Sequence, residues 1–147
     1  MDNELVLHPH GSRIIYMTCF YQLAPIYYGI YYKVYDSSII TTIVFSTSIN
    51  YWRNPIKNSI RRYIDISSVI IGVFYHLYLI YFYSLSIKYY LMIGIGSILY
   101  PVQYRIPTDN YYLISMSHSL LQVIACKICI QVCNDIYNII NNTNIHI

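Results

Sequence analysis

Few side chains in this sequence can do chemistry, and those that can lie within or beside long uncharged stretches. Asp65, His76, His118 and Gln122 sit in or at the edge of apolar runs, Lys127 follows in the run of His118, and Ser46, Ser48 and Asn50 close another. Ionisable and amide groups in such surroundings are costly and need partners. A carboxylate, an imidazole and small hydroxyl or amide groups from different segments, facing one cavity, could hold a metal ion or support acid–base chemistry. Asn50, Asp65 and His118 are expected at comparable depth, so that they can meet. Asp65 and His118 are the candidate metal ligands, and zinc is the metal they would suit. The competing reading is packing, in which Asp65 caps its helix or pairs with Arg61 or Arg62, and His118 bonds a neighbouring carbonyl. Packing is favoured, and with it no cofactor is expected and no catalytic residue is assigned.

A second pattern shares the run of His118. His118, Gln122, Cys126, Cys129 and Cys133 follow at steps of four, four, three and four, which puts them on one helical face. Cys126-Lys127-Ile128-Cys129 is formally a CxxC, and thiolates suit zinc or copper(I). Three cysteines on one helix cannot close a tetrahedral site without another segment, and cysteine is a common small filler between helices. Filling is the favoured reading.

Ser46-x3-Asn50, Asp65 and His118-x3-Gln122 also stand in a suggestive order. Over these few residues of three segments the chain resembles the membrane hydrolase superfamily that includes alkaline ceramidases and adiponectin receptors. That superfamily carries a Ser-x3-His, an intramembrane Asp and a His-x3-His at a zinc site, on seven spans. Here Asn50 and Gln122 replace two of the histidines, and the likeness covers too little to identify the chain as a member. What it implies is a membrane-embedded, metal-dependent lipid hydrolase. No P-loop, GxSxG, HExxH or dinucleotide fingerprint is present.

The elements that must position these groups follow from composition. Hydrophobic residues make up 56% of the 147 and charged residues 10%, against about 25% charged in soluble domains. The mean hydropathy of +0.42 understates the apolar character, because the 20 tyrosines score as polar. Richness in Ile, Tyr and Asn suggests an AT-rich coding genome, such as that of a large DNA virus or a parasite. Charges cut the chain into runs that predict an all-α, polytopic transmembrane bundle of about five spans, with four as the alternative. The spans are about 14–33, 37–52, 65–87, 89–104 and 111–133, in a single domain, followed by a short, loosely ordered polar tail over 134–147. The runs 37–52 and 89–104 are short for a full crossing. No run alternates with period two, which disfavours a barrel. Pro25 should kink the first span by freeing the carbonyl of Tyr21. Gly94, Gly96, Ser97, Ser115 and Ser119 offer surfaces for close helix contact. Tyr27-Tyr28, Tyr31-Tyr32, Tyr89-Tyr90 and Tyr111-Tyr112 flank the expected boundaries, as an aromatic belt requires. Tyr78 and Tyr81 lie deeper and should bond across helices or reach for an interface.

Orientation follows from the basic residues. With five spans, Arg13, Arg53, Lys57, Arg61, Arg62 and Arg105 share one side, and only Lys33 and Lys88 fall on the other. That bias places the N-terminus in the cytosol and the C-terminus in a lumen or outside, and the composition suggests a host or virion membrane among the candidates. Asn141-Asn142-Thr143 would then be a lumenal glycosylation sequon, a triplet that an Asn-rich tail also makes by chance. The N-terminus, Met1-Asp2-Asn3-Glu4, lacks the basic region of a cleavable signal. The four cysteines lie in or beside apolar runs and give no disulfide framework. A net charge of +3 makes no case for nucleic acid. The expected partners are the lipid bilayer and either a second copy of the chain or other membrane proteins. The leading functional expectation is a non-enzymatic structural or partner-docking membrane component. The lipid hydrolase is the alternative, and a transporter or channel subunit ranks below it.

Overall fold

A computed structural model describes residues 5–102, 105–107 and 110–142, and among these the chain is all-helical. The first helical rod has three parts. α1 runs Pro9–Thr18, a 3-10 turn covers Cys19–Gln22, and α2 runs Leu23–Tyr31. Pro9 opens α1 at a first-turn position, where a missing N–H costs nothing, and the ring of His8 accepts the His10 N–H. The tightened turn lies directly before Pro25, where the proline removes a donor from the helical ladder. The expected disturbance at Pro25 is therefore present as a 3-10 segment.

α3 spans Tyr35–Trp52, α4 Ile60–Phe82, α5 Lys88–Val102 and α6 Tyr111–Asn142. α2 ends in a tight reversal in which the Val34 N–H reaches the Gly29 carbonyl and the Lys33 N–H reaches Ile30. α4 ends identically, with Leu85 bonded to Ile80 and Ser84 to Tyr81. Both are Schellman caps, and each puts a non-glycine residue in the left-handed region, Lys33 at φ 59° and Ser84 at φ 50°. The only β-type pairing among the described residues is a single bridge between Leu5 and Ile56, which ties the N-terminal arm to the α3–α4 loop.

The helix limits differ from the expected spans at several points, and α1 already begins at Pro9, five residues ahead of the expected 14. α4 begins at Ile60, because the Ser59 hydroxyl caps it by accepting the Arg62 N–H at 3.3 Å; Asp65 is not the cap. It also stops at Phe82 rather than 87, at the Ser84 reversal. The stretch from Asn134 is not a loose tail: α6 continues through it to Asn142, since Val132, Cys133 and Ile136 keep the buried face going. Asn141 and Asn142 of the sequon close α6, and Thr143 lies outside the described residues.

Around the bundle, α3 packs chiefly on α4 and α2, while α1 and α2 pack on α6. α5 leans on α6 and more sparsely on α4. The first rod thus sits between α3 and α6, and α4 and α5 close the opposite side. An apolar cluster occupies each end: Leu79, Ile80, Tyr89, Ile128, Val132 and Ile136 at one, and Leu7, Ile15, Cys19, Tyr51 and Trp52 at the other. Close approach uses glycines other than those expected. Gly29 abuts Ser38, Gly11 abuts Ser115 and Gly72 faces Val44, whereas Gly94 and Gly96 have no neighbour within 4 Å of where a Cβ would stand.

Beside the two apolar clusters the interior holds many polar side chains, and the outside many large apolar ones. Ser12, Gln22, Ser37, Ser38, Thr41, Ser48, Asp65, Ser68, His76 and Ser115 are all buried. Facing outward are Phe74 at 67%, Tyr81 at 77%, Ile98 at 67% and Met116 at 67% exposure. α4 and α6, of 23 and 32 residues, are long and apolar enough to cross a membrane. Tyr78 and Tyr81 are outward-facing. Tyr89 is not an interfacial residue: it is fully buried, and its hydroxyl donates to Asp135 at 2.5 Å.

Candidate functional site

Hydroxyl groups on the buried face of α3 organise the polar interior. Ser37, Thr41 and Ser48 recur on that face, and the side chains of α4 meet them in register. Ser48 donates to Asp65 Oδ1 at 2.7 Å, and Thr47 approaches the same oxygen at 3.4 Å. Ser68, one turn along α4, donates to the Asp65 carbonyl at 2.7 Å and lies 2.6 Å from the Thr47 hydroxyl. The carboxylate is thus held by neighbouring hydroxyls.

Further along the same interface, Ser37 Oγ lies 3.1 Å from His76 Nε2. His76 Nδ1 is 2.8 Å from the Gly72 carbonyl. A carbonyl only accepts, so Nδ1 carries the proton shared with it. The Cys133 thiol of α6 donates to Ser37 Oγ at 3.4 Å, which extends the chain of bonds to a third helix. Between the first rod and α6, Thr18 Oγ1 meets Gln122 Oε1 at 2.6 Å, and Gln122 Nε2 donates to Cys19 Sγ at 3.5 Å. Ser119 lies 3.2 Å from the same threonine hydroxyl. α2 and α3 are tied by Ser38 donating to the Ile26 carbonyl at 3.0 Å. The α3–α4, α2–α3, α1–α6 and α5–α6 contacts each carry a polar tie.

A cavity of about 550 Å³ lies among α3, α4, α5 and α6, with Gln22 and Pro25 of the first rod on its wall. Asp65, His76 and His118 all border it, as do Gln122, Cys126 and Cys129. The His118 ring packs edge-on against Trp52, with centroids 5.0 Å apart, and tilts over Tyr100 at 6.2 Å.

The chain matches no family model, no curated protein and no solved structure.

Depth reasoning expected the polar groups to meet, and Asp65 and His118 both border the cavity. It failed for Ser46 and Asn50, which are exposed; the Ser46 hydroxyl donates to the Thr42 carbonyl of its own helix at 2.8 Å. The reason is helical phase, since two residues on a helix are about 200° apart. Ser48 faces Asp65, so Ser46 and Asn50 must face away. The Ser46-x3-Asn50 part of the superfamily likeness consequently has no counterpart at the cavity. Among the described residues no three His, Cys, Asp or Glu side chains converge to hold a metal ion. The cysteines are all free, with Cys126 and Cys133 buried and Cys129 half-buried, while Lys127 is exposed. Residues that the sequence reading passed over are Thr47, Ser68, Ser37 and Gln22. The first three carried a signal, hydroxyls at helical spacing on the faces of α3 and α4. Gln22 stood as a lone amide in an aromatic run.

Proposed function

We propose that the chain is a multi-pass integral membrane component with five spans, the N-terminus in the cytosol and the C-terminus lumenal or extracellular, acting as a structural or partner-docking element. One observation carries this reading: ten buried polar side chains share the interior with two apolar clusters, while many large apolar side chains cover the outside. In water that arrangement would expose a greasy surface far beyond the few hundred Å² a monomer tolerates. In lipid it is the low-energy arrangement, because backbone and side-chain polar groups satisfy one another internally. The hydropathy of α4 and α6 supports crossing by those two helices; the first rod, α3 and α5 join them through packing and the charge bias of the loops. Topology reporters fused after Asn58 and after Asn144 test it, and five spans require opposite sides of the membrane. Reporters on the same side would mean four.

The alternative, a metal-dependent lipid hydrolase, draws support from Asp65 and His118 bordering one cavity. It is weaker because Ser46 and Asn50 face outward and no third donor joins the pair among the described residues. Stoichiometric zinc in the purified protein, lost on His118→Ala, would reverse the ranking.

A further inference from the structure

The cavity carries one formal charge with no counter-charge beside it. Asp65 is the only formally charged side chain on its wall, and among the described residues no Lys or Arg lines it. Asp65 is 6% exposed, and the side-chain bonds it accepts, from Ser48 and Thr47, both go to Oδ1. Oδ2 takes none from the described residues. It is not sealed either, since Gln22 Oε1 is the only side-chain polar atom among them that is both sealed and unbonded. Oδ2 therefore keeps open surface, and the space that Asp65 borders is the cavity. A carboxylate buried so deeply needs a cation.

The cavity also has two unlike ends. Trp52 follows Ser48 by one turn of α3, about 6 Å, so its ring stands at the carboxylate's end. His118 packs on that ring with centroids 5.0 Å apart, and Tyr100 lies 6.2 Å from His118. Indole and phenol faces attract an ammonium group. Away from that end the wall is apolar, with Val69, Ile70 and Val73 on α4, Ile93 on α5, and Leu121 and Ile124 on α6. The polar groups there already have partners: His76 bonds Ser37 and Gly72, Gln122 bonds Thr18 and Cys19, and Thr41 donates to the Ser37 carbonyl. Ile70 and Phe74 line the cavity and are 49% and 67% exposed, so it opens outward along α4 to the apolar surroundings.

We infer that this cavity binds a lipophilic amine, its protonated head on Asp65 Oδ2 beside Trp52 and Tyr100 and its apolar body along the walls of α4, α5 and α6. An anionic head would face the carboxylate with no cation between them, and a neutral hydroxyl would leave the charge uncompensated. The inference needs the cavity and its carboxylate and not the span count, so it stands or falls separately from the topology.

The full chain, purified in an uncharged detergent, is captured on scintillation beads with tritiated dodecylamine, which is protonated at neutral pH as a lysine side chain is. Unlabelled dodecylamine, dodecanol and dodecanoic acid then compete for the site. The amine should displace the label at a concentration at least about tenfold below that of the alcohol or the acid. Asp65→Asn keeps an acceptor for the Ser48 hydroxyl and removes the charge. It should weaken binding of the label by about tenfold or more and abolish the preference for amine over alcohol. Gly96→Leu leaves Asp65 in place and fills the cavity from α5. Gly96 borders the cavity and a Cβ there meets nothing within 4 Å, so the substitution adds bulk without a clash. It too should weaken binding by about tenfold or more. If Asp65→Asn does not fold, this variant and the ranking of the three competitors decide the matter. Equal competition by amine and alcohol would show that the carboxyl group needs no cation. Tightest competition by the acid would show that it does not repel an anion, and binding unchanged in either variant would place the label in the micelle. Each of these results overturns the inference.

Discussion

Replacing Ser48 by alanine isolates the tie between α3 and α4 at the buried carboxylate. The hydroxyl donates to Asp65 Oδ1 at 2.7 Å, and the only other donor to that oxygen among the described residues is Thr47 at 3.4 Å, whose hydroxyl also meets Ser68 at 2.6 Å. A hydrogen bond to a charged group is worth about 1.5–3 kcal/mol in soluble proteins. Side-chain couplings inside membrane bundles average about 0.6 and reach about 1.7 kcal/mol, because the unfolded chain in lipid finds other partners. Asp65 is buried and Thr47 is a poor substitute, which puts Ser48→Ala near the upper end, a loss of about 1.5 kcal/mol. Ser46→Ala is the control: its hydroxyl bonds its own helix and faces outward, so it should change stability by less than about 0.5 kcal/mol. Both are read from reversible unfolding in mixed micelles of mild detergent and SDS. On an Asp65→Asn background the acceptor is uncharged, and the cost of Ser48→Ala should fall to about 0.7 kcal/mol or less. If Ser48→Ala and Ser46→Ala cost the same, or if the Asp65→Asn background leaves the Ser48 cost unchanged, the polar-tie account of this bundle is wrong.

Two further substitutions test the backbone. Ser84→Gly should stabilise the protein by about 1 kcal/mol in the same unfolding assay, because the residue sits at φ 50° where a Cβ is strained; a loss would mean that the serine side chain matters more than the strain. Gly29→Ala should destabilise by about 1–3 kcal/mol, since its methyl would collide with the Ser38 hydroxyl at the α2–α3 contact. Gly94→Ala, with open space around it, should be neutral or gain up to about 1 kcal/mol, so equal effects at the two glycines would refute the packing assigned to them.

The helical character was legible because uncharged runs of Ile, Leu and Tyr broken by isolated charges leave little else to build. Helix ends were harder. Glycine is the usual stop signal, and here Lys33 and Ser84 take the left-handed position, so nothing in the composition marks Tyr31 or Phe82 as final turns. The last part of α6 was misjudged on Asn134, Asp135 and Asn138, yet Ile128, Val132 and Ile136 recur every fourth residue and carry the buried face past them. At the site, depth along a helix is nearly linear in sequence, and depth is all that Asp65 and His118 share as residues bordering one cavity. Which way a side chain points depends on phase, and of the candidates Ser46, Ser48 and Asn50 only Ser48 faces Asp65. Gly94 and Gly96 looked like a contact surface because small residues make close packing possible, but only a partner helix makes it happen, and α5 has none there.

The unequal lengths of the helices bear on the bilayer itself. At about 1.5 Å per residue, α6 is roughly 48 Å long and α5 roughly 22 Å, against a hydrocarbon layer of about 30 Å. Tyr89 fixes the start of α5 to Asp135 near the far end of α6, so the shorter helix cannot slide to the middle of the layer. If α5 crosses as proposed, the bundle presents a tall flank and, over its described residues, a short one, and the lipid beside α5 would thin to meet it. Thinning on one side only is a directional deformation. It falls in energy when two short flanks share it, so on the proposed five-span reading neighbouring copies would have a reason to turn toward each other before any side chains touch.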